Sequence, residues 1–347
     1  MLHIVRKFGC SGGMEKYVWV LAHQLVKQGV KTEILCDEVT GIPDPAIVVH
    51  KIEFSERKPR WKSMLRFRSL VDTFITLELS KRKVIVHSHE RSLNHHVTTF
   101  HGPPMLCDKW YARVPLLNRR VKAWQSMECD ELLRPSVQRI LPVSKVIQDR
   151  LLSLYPSIKP NEMIIAWPGT DDRFVSSDSL NRKNTSALHC LFVGKEWKRK
   201  GLDTAVAVVS ALAENREATL DVYGPSVSEL PKSIVKSRYT RIRGWQDSIP
   251  WTDYHILIHP ARNEPFGMVV AEARSKGVPV LTSDITGSVG LNYRGVAACP
   301  AAAPIDVWVQ QLLDLIDTPS VFQPEVLWSW ADLARLHIDH VYSGVKF

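Results

Sequence analysis

The chain has 347 residues, of which 45% are hydrophobic and 23% are charged. This balance excludes a wholly disordered chain, and the length allows two domains of ordinary size. The net charge of +9 favours an anionic partner, such as a phosphorylated substrate, nucleic acid or an acidic membrane surface.

The spacing of the six cysteines and the lengths of the apolar segments indicate the cellular compartment of the protein. No two cysteines have the C-x-x-C spacing of a metal or redox motif, so we expect reduced cysteines in a cytoplasmic protein. The apolar start at residues 2–5 is a short strand rather than a signal peptide. No run of about 18 apolar residues predicts a membrane span.

The first half of the chain alternates short apolar strands with helical patterns. Strands at 2–5 and 31–36 flank a glycine-rich loop, 9–13, and a helix, 15–28. Further strands are predicted at 84–88, 97–101, 139–144 and 163–167. This alternation predicts a parallel sheet covered by helices.

The second half repeats the pattern after a polar stretch, 175–186, that we predict to be a linker. Strands are predicted at 188–193, 218–223, 254–259 and 278–283, and helices at 201–214, 267–276, 305–317 and 325–342. The sequence therefore predicts an α/β protein with two doubly wound domains. Ligands are expected beyond the carboxyl ends of the strands.

The most specific motif runs from residue 263 to 273. Glu264 precedes a predicted helix and Glu272 lies about two turns into it, while Gly267 lets the backbone approach a ligand closely. The free N–H groups at the start of the helix form an anion site suited to a diphosphate. The two carboxylates can hydrogen-bond hydroxyls at two ends of one elongated ligand.

Together with the basic loop 194–201, this motif resembles the signature of the family 4 retaining glycosyltransferases of GT-B fold. The resemblance runs through most of the chain. It implies two Rossmann-like domains facing across a cleft, with an acceptor domain at 1–174 and a nucleotide-sugar domain at 175–324. A C-terminal helix at 325–347 would return to the first domain.

The resemblance also implies residue roles. Glu264 would hold hydroxyls of the donor sugar and Glu272 the ribose. Lys200 matches the family's lysine, Lys195 stands where arginine is usual, and Arg199 can supply the missing guanidinium. The other implied donor contacts come from Gly12, Gly13, His101, Gly194, Phe266, Gly267 and Met268. Several have a structural alternative, since tight turns also require glycine and a lone histidine can be part of the core.

The implied reaction is retaining transfer of a hexose, without a cofactor or metal, from UDP-hexose in preference to GDP-hexose. The basic neighbours of Lys200 would stabilise the departing diphosphate. The implied acceptor is a saccharide or a lipid-linked saccharide, because the Arg199-Lys200-Gly201 ending is similar to that of lipopolysaccharide-core glucosyltransferases.

Two further clusters have open interpretations. The basic run 57–68 is either a solvated helix face or a patch on anionic lipid at the inner membrane face, with Trp61 and Phe67 in the interface. Four histidines lie close together in the sequence and suggest a metal site: His87, His89, His95 and His96. No carboxylate or cysteine completes a recognisable ligand set, so we favour a packing role for them.

Two rival functions remain. Asp37 follows the second strand where the ribose-binding acid of an NAD-dependent oxidoreductase would lie, but the loop 9–13 is not G-x-G-x-x-G. A nucleic-acid-binding protein is suggested by the charge alone, and no recognisable motif supports it.

Overall fold

The computed structural model describes residues 1–54, 58–79, 82–105, 119–171 and 187–346. The chain divides into two compact units, one formed by residues 1–169 and 330–347, the other by residues 170–329. The predicted linker at 175–186 and the predicted domain boundary at 174 lie outside the described residues, so both stay predictions.

The first unit is built on a six-stranded parallel sheet with the order β5-β3-β1-β6-β7-β8, and β2 and β4 form a separate pair. Its strands are β1 (Leu2–Ile4), β2 (Lys7–Phe8), β3 (Glu33–Cys36), β4 (Glu38–Val39), β5 (Val48–Lys51), β6 (Val86–Ser88), β7 (Val97–Phe100) and β8 (Arg139–Pro142). Its first helices are α1 (Gly13–Lys27), α2 (Arg60–Phe74), α3 (Arg119–Leu133) and α4 (Lys145–Leu154).

The second unit repeats this plan, with a parallel sheet of order β11-β10-β9-β12-β13-β14. Its strands are β9 (Leu188–Val193), β10 (Ala218–Tyr223), β11 (Thr240–Gly244), β12 (Ile256–His259), β13 (Val280–Ser283) and β14 (Val296–Cys299). Its helices are α5 (Trp197–Lys200), α6 (Leu202–Leu212), α7 (Lys232–Val235), α8 (Met268–Ser275) and α9 (Ile305–Ile316). The two sheets confirm the predicted pair of doubly wound α/β domains.

Both faces of the second sheet are covered. Helices α6 and α9 pack their apolar residues on one face, where Trp308 is fully buried. Helix α8 packs Val269 and Val270 on the other face. Because β9 and β12 are adjacent and parallel, the loops that follow them leave the sheet side by side.

Two predicted elements are wrong. Residues 163–167 form only an isolated bridge at Met163, because Pro142 of the neighbouring β8 has no N–H to continue the ladder. The last helix begins at α10 (Trp330–Leu336), not at 325, and continues as a π-helical turn, His337–Tyr342. Glu325 is held outside this helix, since its N–H donates to the Arg274 carbonyl.

None of the helices in the described ranges combines the length and hydropathy that crossing a bilayer requires.

Candidate functional site

The loops after β9 and β12 meet around the carboxylate of Glu264. Glu264 is 7% exposed. Its Oε2 atom accepts hydrogen bonds from Lys200 Nζ and, at 3.3 Å, from Arg199 Nη1. Three predicted site residues are therefore in direct contact, with one anion bound by two cations.

Arg199 ties the two loops together as well as contacting Glu264. Its guanidinium donates to the Asn263 carbonyl at 2.7 Å and to Glu196 Oε2 at 2.6 Å. Arg262, in the second loop, donates to the Lys198 carbonyl at 2.8 Å. A planar guanidinium can serve several acceptors at once, so Arg199 fixes the loop that presents Glu264.

Sequence reasoning missed His259, the last residue of β12. Its ring is fully buried, and Nε2 lies 3.4 Å from Glu264 Oε2. No described residue gives either ring nitrogen a well-oriented hydrogen bond. The available signal was a polar residue at the carboxyl end of an apolar strand, five positions before the glutamate.

The cluster holds Glu264 in its ionised form. Burial alone would raise the pKa of Glu264, but His259, Lys200 and Arg199 together outweigh burial and hold that pKa far below its usual range. Burial lowers the pKa of His259, although Glu264 opposes that shift. The site therefore combines a charged carboxylate with a neutral imidazole near pH 7.

Gly267 places the Glu264 loop at the start of α8. Its φ of +89° is left-handed, and a Cβ there would lie 2.9 Å from Thr286 Cγ2 and 3.2 Å from Glu264 Cγ. The loop after β13 supports this segment, because Ser288 N–H donates to the Phe266 carbonyl at 2.7 Å. Met268 then opens the helix with no side-chain cap and no acidic residue in its first turn, which leaves an anion-binding end.

The other predicted donor residues of this unit lie nearby. A Cβ at Gly194 would lie 2.9 Å from Lys200 Cγ, so glycine leaves room for the lysine side chain, and Lys195 is exposed. Lys195 lines a cavity of about 440 Å³ whose other wall includes Gly224 and Trp245. Glu272 is half-buried on α8.

In the first unit, His101 ends a hydrogen-bonded row of three imidazoles. His89 Nδ1 lies 3.1 Å from His101 Nε2, and His89 Nε2 lies 3.0 Å from His3 Nδ1. Burial lowers the pKa of His101 to about 3 and the pKa values of His3 and His89 well below their usual range. All three rings are therefore neutral near pH 7.

The remaining histidines of this unit also pack by hydrogen bonding. The ligand atoms of His3, His87 and His89 lie within 4.8 Å of one another, which would allow a metal ion. Both nitrogens of His87 are already engaged, by the Tyr342 hydroxyl at 2.9 Å and by Thr99 Oγ1 at 2.8 Å. His95 and His96 bond to the main chain at Glu131 and Val86. The geometry favours packing over metal binding.

The predicted glycine pair lies where α1 begins. Gly12 is the N-cap in extended backbone, with no side-chain cap, and Gly13 is the first helical residue. The Glu15 carboxylate, in the first turn, lies against Gly12. This placement agrees with a strand-to-helix turn and leaves the donor role of the pair a prediction.

The basic run is partly misassigned. Arg57 lies outside the described residues, and α2 covers most of the rest. Phe67 is 1% exposed in the core and Arg68 is buried in an ion pair with Asp130 at 2.7 Å, so neither can reach a lipid surface. The helical period turns these two inward. The exposed cations are Lys58, Arg60, Lys62 and Arg66.

Asp37, the residue that suggested an oxidoreductase, has another partner. Arg6 binds its Oδ2 atom through Nε at 3.1 Å and Nη2 at 2.7 Å. A carboxylate that is buried and held in this way is an ion-pair partner rather than an open ribose acceptor.

Comparison with known proteins identifies both halves of the chain. A family model described as Glycosyltransferase Family 4 matches residues 11–174, and one described as Glycosyl transferases group 1 matches residues 187–318. The crystal structure of WaaG, a glycosyltransferase involved in lipopolysaccharide biosynthesis, superposes with a TM-score of 0.73 and 16% identity, covering 99% of this chain and 96% of that chain. The fold is therefore that of the GT-B glycosyltransferases.

Two curated sequences are also similar. An uncharacterized 41.2 kDa protein in the cps region of Klebsiella pneumoniae is 31% identical over 109 residues, covering 30% of each chain. Lipopolysaccharide glucosyltransferase WaaG of Escherichia coli (strain K12) is 25% identical over 194 residues, covering 54% of this chain and 50% of that protein. The chain thus spans half or less of the length of these two relatives.

Proposed function

Because the chain belongs to the glycosyltransferases with family 4 and group 1 domains, we propose that it moves a hexose from a nucleotide sugar with retention of configuration. The observation that carries this proposal is the buried, ionised Glu264 beside Lys200 and Arg199 at the start of α8. A carboxylate in this state accepts hydrogen bonds from sugar hydroxyls, and cations beside it attract a diphosphate.

The donor binds in the second unit. The diphosphate contacts Lys200, Arg199 and the free amides of Met268 and its neighbours, where the helix dipole adds positive potential. The sugar hydroxyls bind Glu264, and the ribose binds Glu272. The cavity beside Lys195 and Trp245 is of a size and polarity suited to the base.

Transfer needs no protein base and no metal in this proposal. The bond between the anomeric carbon and the diphosphate oxygen breaks, and the acceptor oxygen bonds to the same carbon on the same face. The acceptor proton passes to the departing phosphate oxygen. Lys200 and Arg199 stabilise the negative charge that develops on the diphosphate, so the protein supplies electrostatic stabilisation, and His101 contacts the donor sugar.

We propose UDP-hexose rather than GDP-hexose as donor, and a saccharide or lipid-linked saccharide of the lipopolysaccharide or cell-surface kind as acceptor. The likeness to WaaG supports the acceptor class. The exposed cations of α2, with Leu65 39% exposed beside them, support reversible attachment to anionic lipid at the cytoplasmic face.

Calorimetry with UDP, GDP and NAD tests the donor class. We expect UDP to bind most tightly; binding of NAD alone would overturn the proposal in favour of an oxidoreductase. Mass spectrometry with a panel of nucleotide sugars and acceptors then identifies the product, and NMR of its anomeric proton shows whether configuration is retained. Activity that disappears in EDTA and returns with a divalent ion would contradict metal-independent transfer.

Sedimentation with phosphatidylglycerol vesicles tests the membrane attachment. We expect the protein to sediment at low salt and to be released at high salt. Replacing Lys58, Lys62 and Arg66 with glutamine should abolish sedimentation. Wild-type protein that ignores the vesicles would remove the membrane proposal and leave the transferase proposal intact.

A further inference from the structure

The first unit contains a cavity of about 530 Å³ that none of the roles above uses. Arg60, Arg91 and Arg120 line it, together with Trp61 and Trp124. None of the lining residues that the structure describes is acidic. The volume lies within the range of small-molecule sites.

Two of the arginines stack beside one of the tryptophans. The guanidinium carbons of Arg91 and Arg60 lie 5.4 Å and 6.0 Å from the centre of the Trp124 ring. Trp124 is 9% exposed and packs in the core, which fixes its ring. A fixed aromatic ring orients the guanidinium groups stacked beside it, so the cations are ordered before a ligand arrives.

The charge behind Arg91 does not cancel the positive charge of the cavity. Glu128, fully buried, pairs with Arg91 at 3.3 Å and also accepts the Met105 N–H. Arg91 Nε also lies 3.8 Å from Glu131 Oε2, and burial raises the pKa of that carboxyl to about 8. Arg91 is thus paired inside the unit, and Arg60 and Arg120 bring two further guanidinium groups to the cavity wall.

Helix α2 adds to the positive potential. Its N-cap, Pro59, and its first two residues, Arg60 and Trp61, line the cavity. The helix has no side-chain cap and no acidic residue in its first turn. A helix end with an arginine in place of the usual acid is unfavourable unless an anion is supplied.

We propose that this cavity binds an anionic saccharide, with a phosphate or carboxylate on the arginines and the sugar ring against the tryptophans. A sugar ring presents C–H groups that pack on aromatic faces, and arginine binds phosphate or carboxylate through paired N–H donors. The inference rests on the proposed function and narrows it, because an anionic saccharide seated in the first unit is the acceptor.

The test uses the full chain and measures binding without turnover. Calorimetry compares glucose 6-phosphate, glucuronic acid and uncharged glucose, in wild type and in an Arg60→Gln/Arg120→Gln double variant. We expect both anionic sugars to bind wild type at least about tenfold more tightly than glucose, and to lose roughly tenfold in the double variant. Both arginines are exposed, so the fold should persist.

The matched control is an Arg66→Gln/Arg119→Gln double variant, which removes the same charge from exposed neighbours outside the cavity. It should bind glucose 6-phosphate as wild type does. Equal losses in the two double variants would mean general charge attraction and would overturn the proposal. So would equal affinity of wild type for glucose and glucose 6-phosphate.

A second arm identifies the source of the anion. Vesicles carrying phosphatidylinositol 4-phosphate present a lipid-linked, phosphorylated cyclitol ring that resembles a sugar phosphate, and phosphatidylglycerol vesicles present phosphate without such a ring. Arg60 is also one of the exposed cations of α2, so the Arg60→Gln/Arg120→Gln variant should lose some binding to both kinds of vesicle. A clearly larger loss with the first vesicles supports a lipid-linked ligand, and an equal loss with both overturns the saccharide site. UDP affinity should be unchanged in both double variants. Failure of the wild type to bind UDP would refute the proposed function, whereas the saccharide measurements test this cavity separately.

Discussion

Each unit buries a cluster of titratable side chains. The cluster in the first unit is neutral, and the cluster in the second unit is ionised. In the first unit, His3, His89 and His101 bond to one another and remain neutral. In the second, Glu264 is also buried, at 7% exposed, but stays ionised because Lys200 and Arg199 contact it. Burial disfavours the ionised form of a side chain in both units. In the second unit, neighbouring opposite charges outweigh this effect of burial.

The contrast suggests that the two clusters have different roles. Neutral imidazoles can orient hydroxyl groups without attracting the nucleotide, whereas a charged cluster can bind and stabilise a diphosphate.

Acid should unfold the first unit before the second. Five histidines there are buried and have lowered pKa values: His3, His87, His89, His95 and His337. The unfolded chain takes up their protons below about pH 6.5 while the folded unit does not, so stability is full above that pH and falls as pH drops. Glu90 and Glu131, with raised pKa values of about 7 and 8, take up protons when folded and offset two of the five.

His101, with a pKa lowered to about 3, adds a further histidine, so about four net protons correspond to a loss of roughly 5 kcal/mol per pH unit, against a total stability of about 5–15 kcal/mol. In the second unit, His259 has a lowered pKa and Glu264 matters only below its unfolded pKa of about 4.5. Hydrogen exchange followed by mass spectrometry, corrected for intrinsic rates, should show peptides of the first unit losing protection near pH 5. Earlier loss in residues 187–329 would refute the comparison.

Replacing Glu264 with alanine should damage both stability and turnover. The substitution leaves Lys200 and Arg199 without their shared anion, and breaking such a pair costs about 3–5 kcal/mol. At about 2–4 °C per kcal/mol, the melting temperature should fall by roughly 10 °C. If Glu264 holds the donor sugar as proposed, its loss should reduce kcat/KM by roughly tenfold to a hundredfold.

Asp203→Asn is the matched control, because Asp203 pairs with Arg262 at 2.6 Å on the surface, where both side chains are about half exposed. Such pairs contribute at most about 1 kcal/mol. Melting temperature and activity should be close to wild type. If Glu264→Ala behaves like this control, the charged cluster has neither role.

The sequence predicted the strands that lie inside the sheets and missed three at the edges. The missed strands are β5, β11 and β14, and each ends its sheet. Their burial patterns are mixed, with exposed and half-exposed positions, so their sequences lack the continuous apolar runs of central strands such as β9 and β12. Edge strands are stabilised by pairing with a neighbour, which a local pattern does not reveal.

Of the residues in the candidate site, some were predicted from the sequence and others were missed. Glu264 and Lys200 could be found because their loops carry recognisable spacings, and the structure brings them into contact. His259 was missed because the last residue of an apolar strand resembles core, and its contact with Glu264 depends on how the loop folds back. Phe67 and Arg68 were misplaced because a basic run conceals which face of α2 packs inward.

Glu272→Ala should weaken nucleotide binding in the ground state. If Glu272 holds the ribose, its loss removes hydrogen bonds to a charged acceptor worth about 1.5–3 kcal/mol, or roughly tenfold to a hundredfold in Kd for UDP. Glu214→Ala, an exposed glutamate of the same unit, should leave Kd within about twofold. Calorimetry that finds the two variants alike would remove the ribose role from Glu272 without touching the role of Glu264.

The smallest expected effect concerns the imidazole row. Each neutral ring has one N–H, so the row has two consistent arrangements, with protons on every Nδ1 or on every Nε2. No described residue accepts from His3 Nε2, which is buried, and an orphaned N–H is costlier than an orphaned lone pair. The Nδ1 arrangement is therefore favoured, and His89 sets the proton of His101 on Nδ1.

Replacing His89 with phenylalanine removes this control while filling similar space. We expect ¹⁵N NMR to show His101 on Nδ1–H in wild type and shifted toward Nε2–H in the variant. Losing one hydrogen bond of about 1 kcal/mol should lower kcat about fivefold, with UDP affinity unchanged because the proposed nucleotide site lies in the other unit. His340→Gln, an exposed histidine of the same unit, should change neither the spectrum of His101 nor kcat. If the variant keeps the wild-type tautomer of His101, then His89 only packs against His101. The neutral cluster would in that case not orient any proton, unlike the charged cluster, which holds Glu264 ionised.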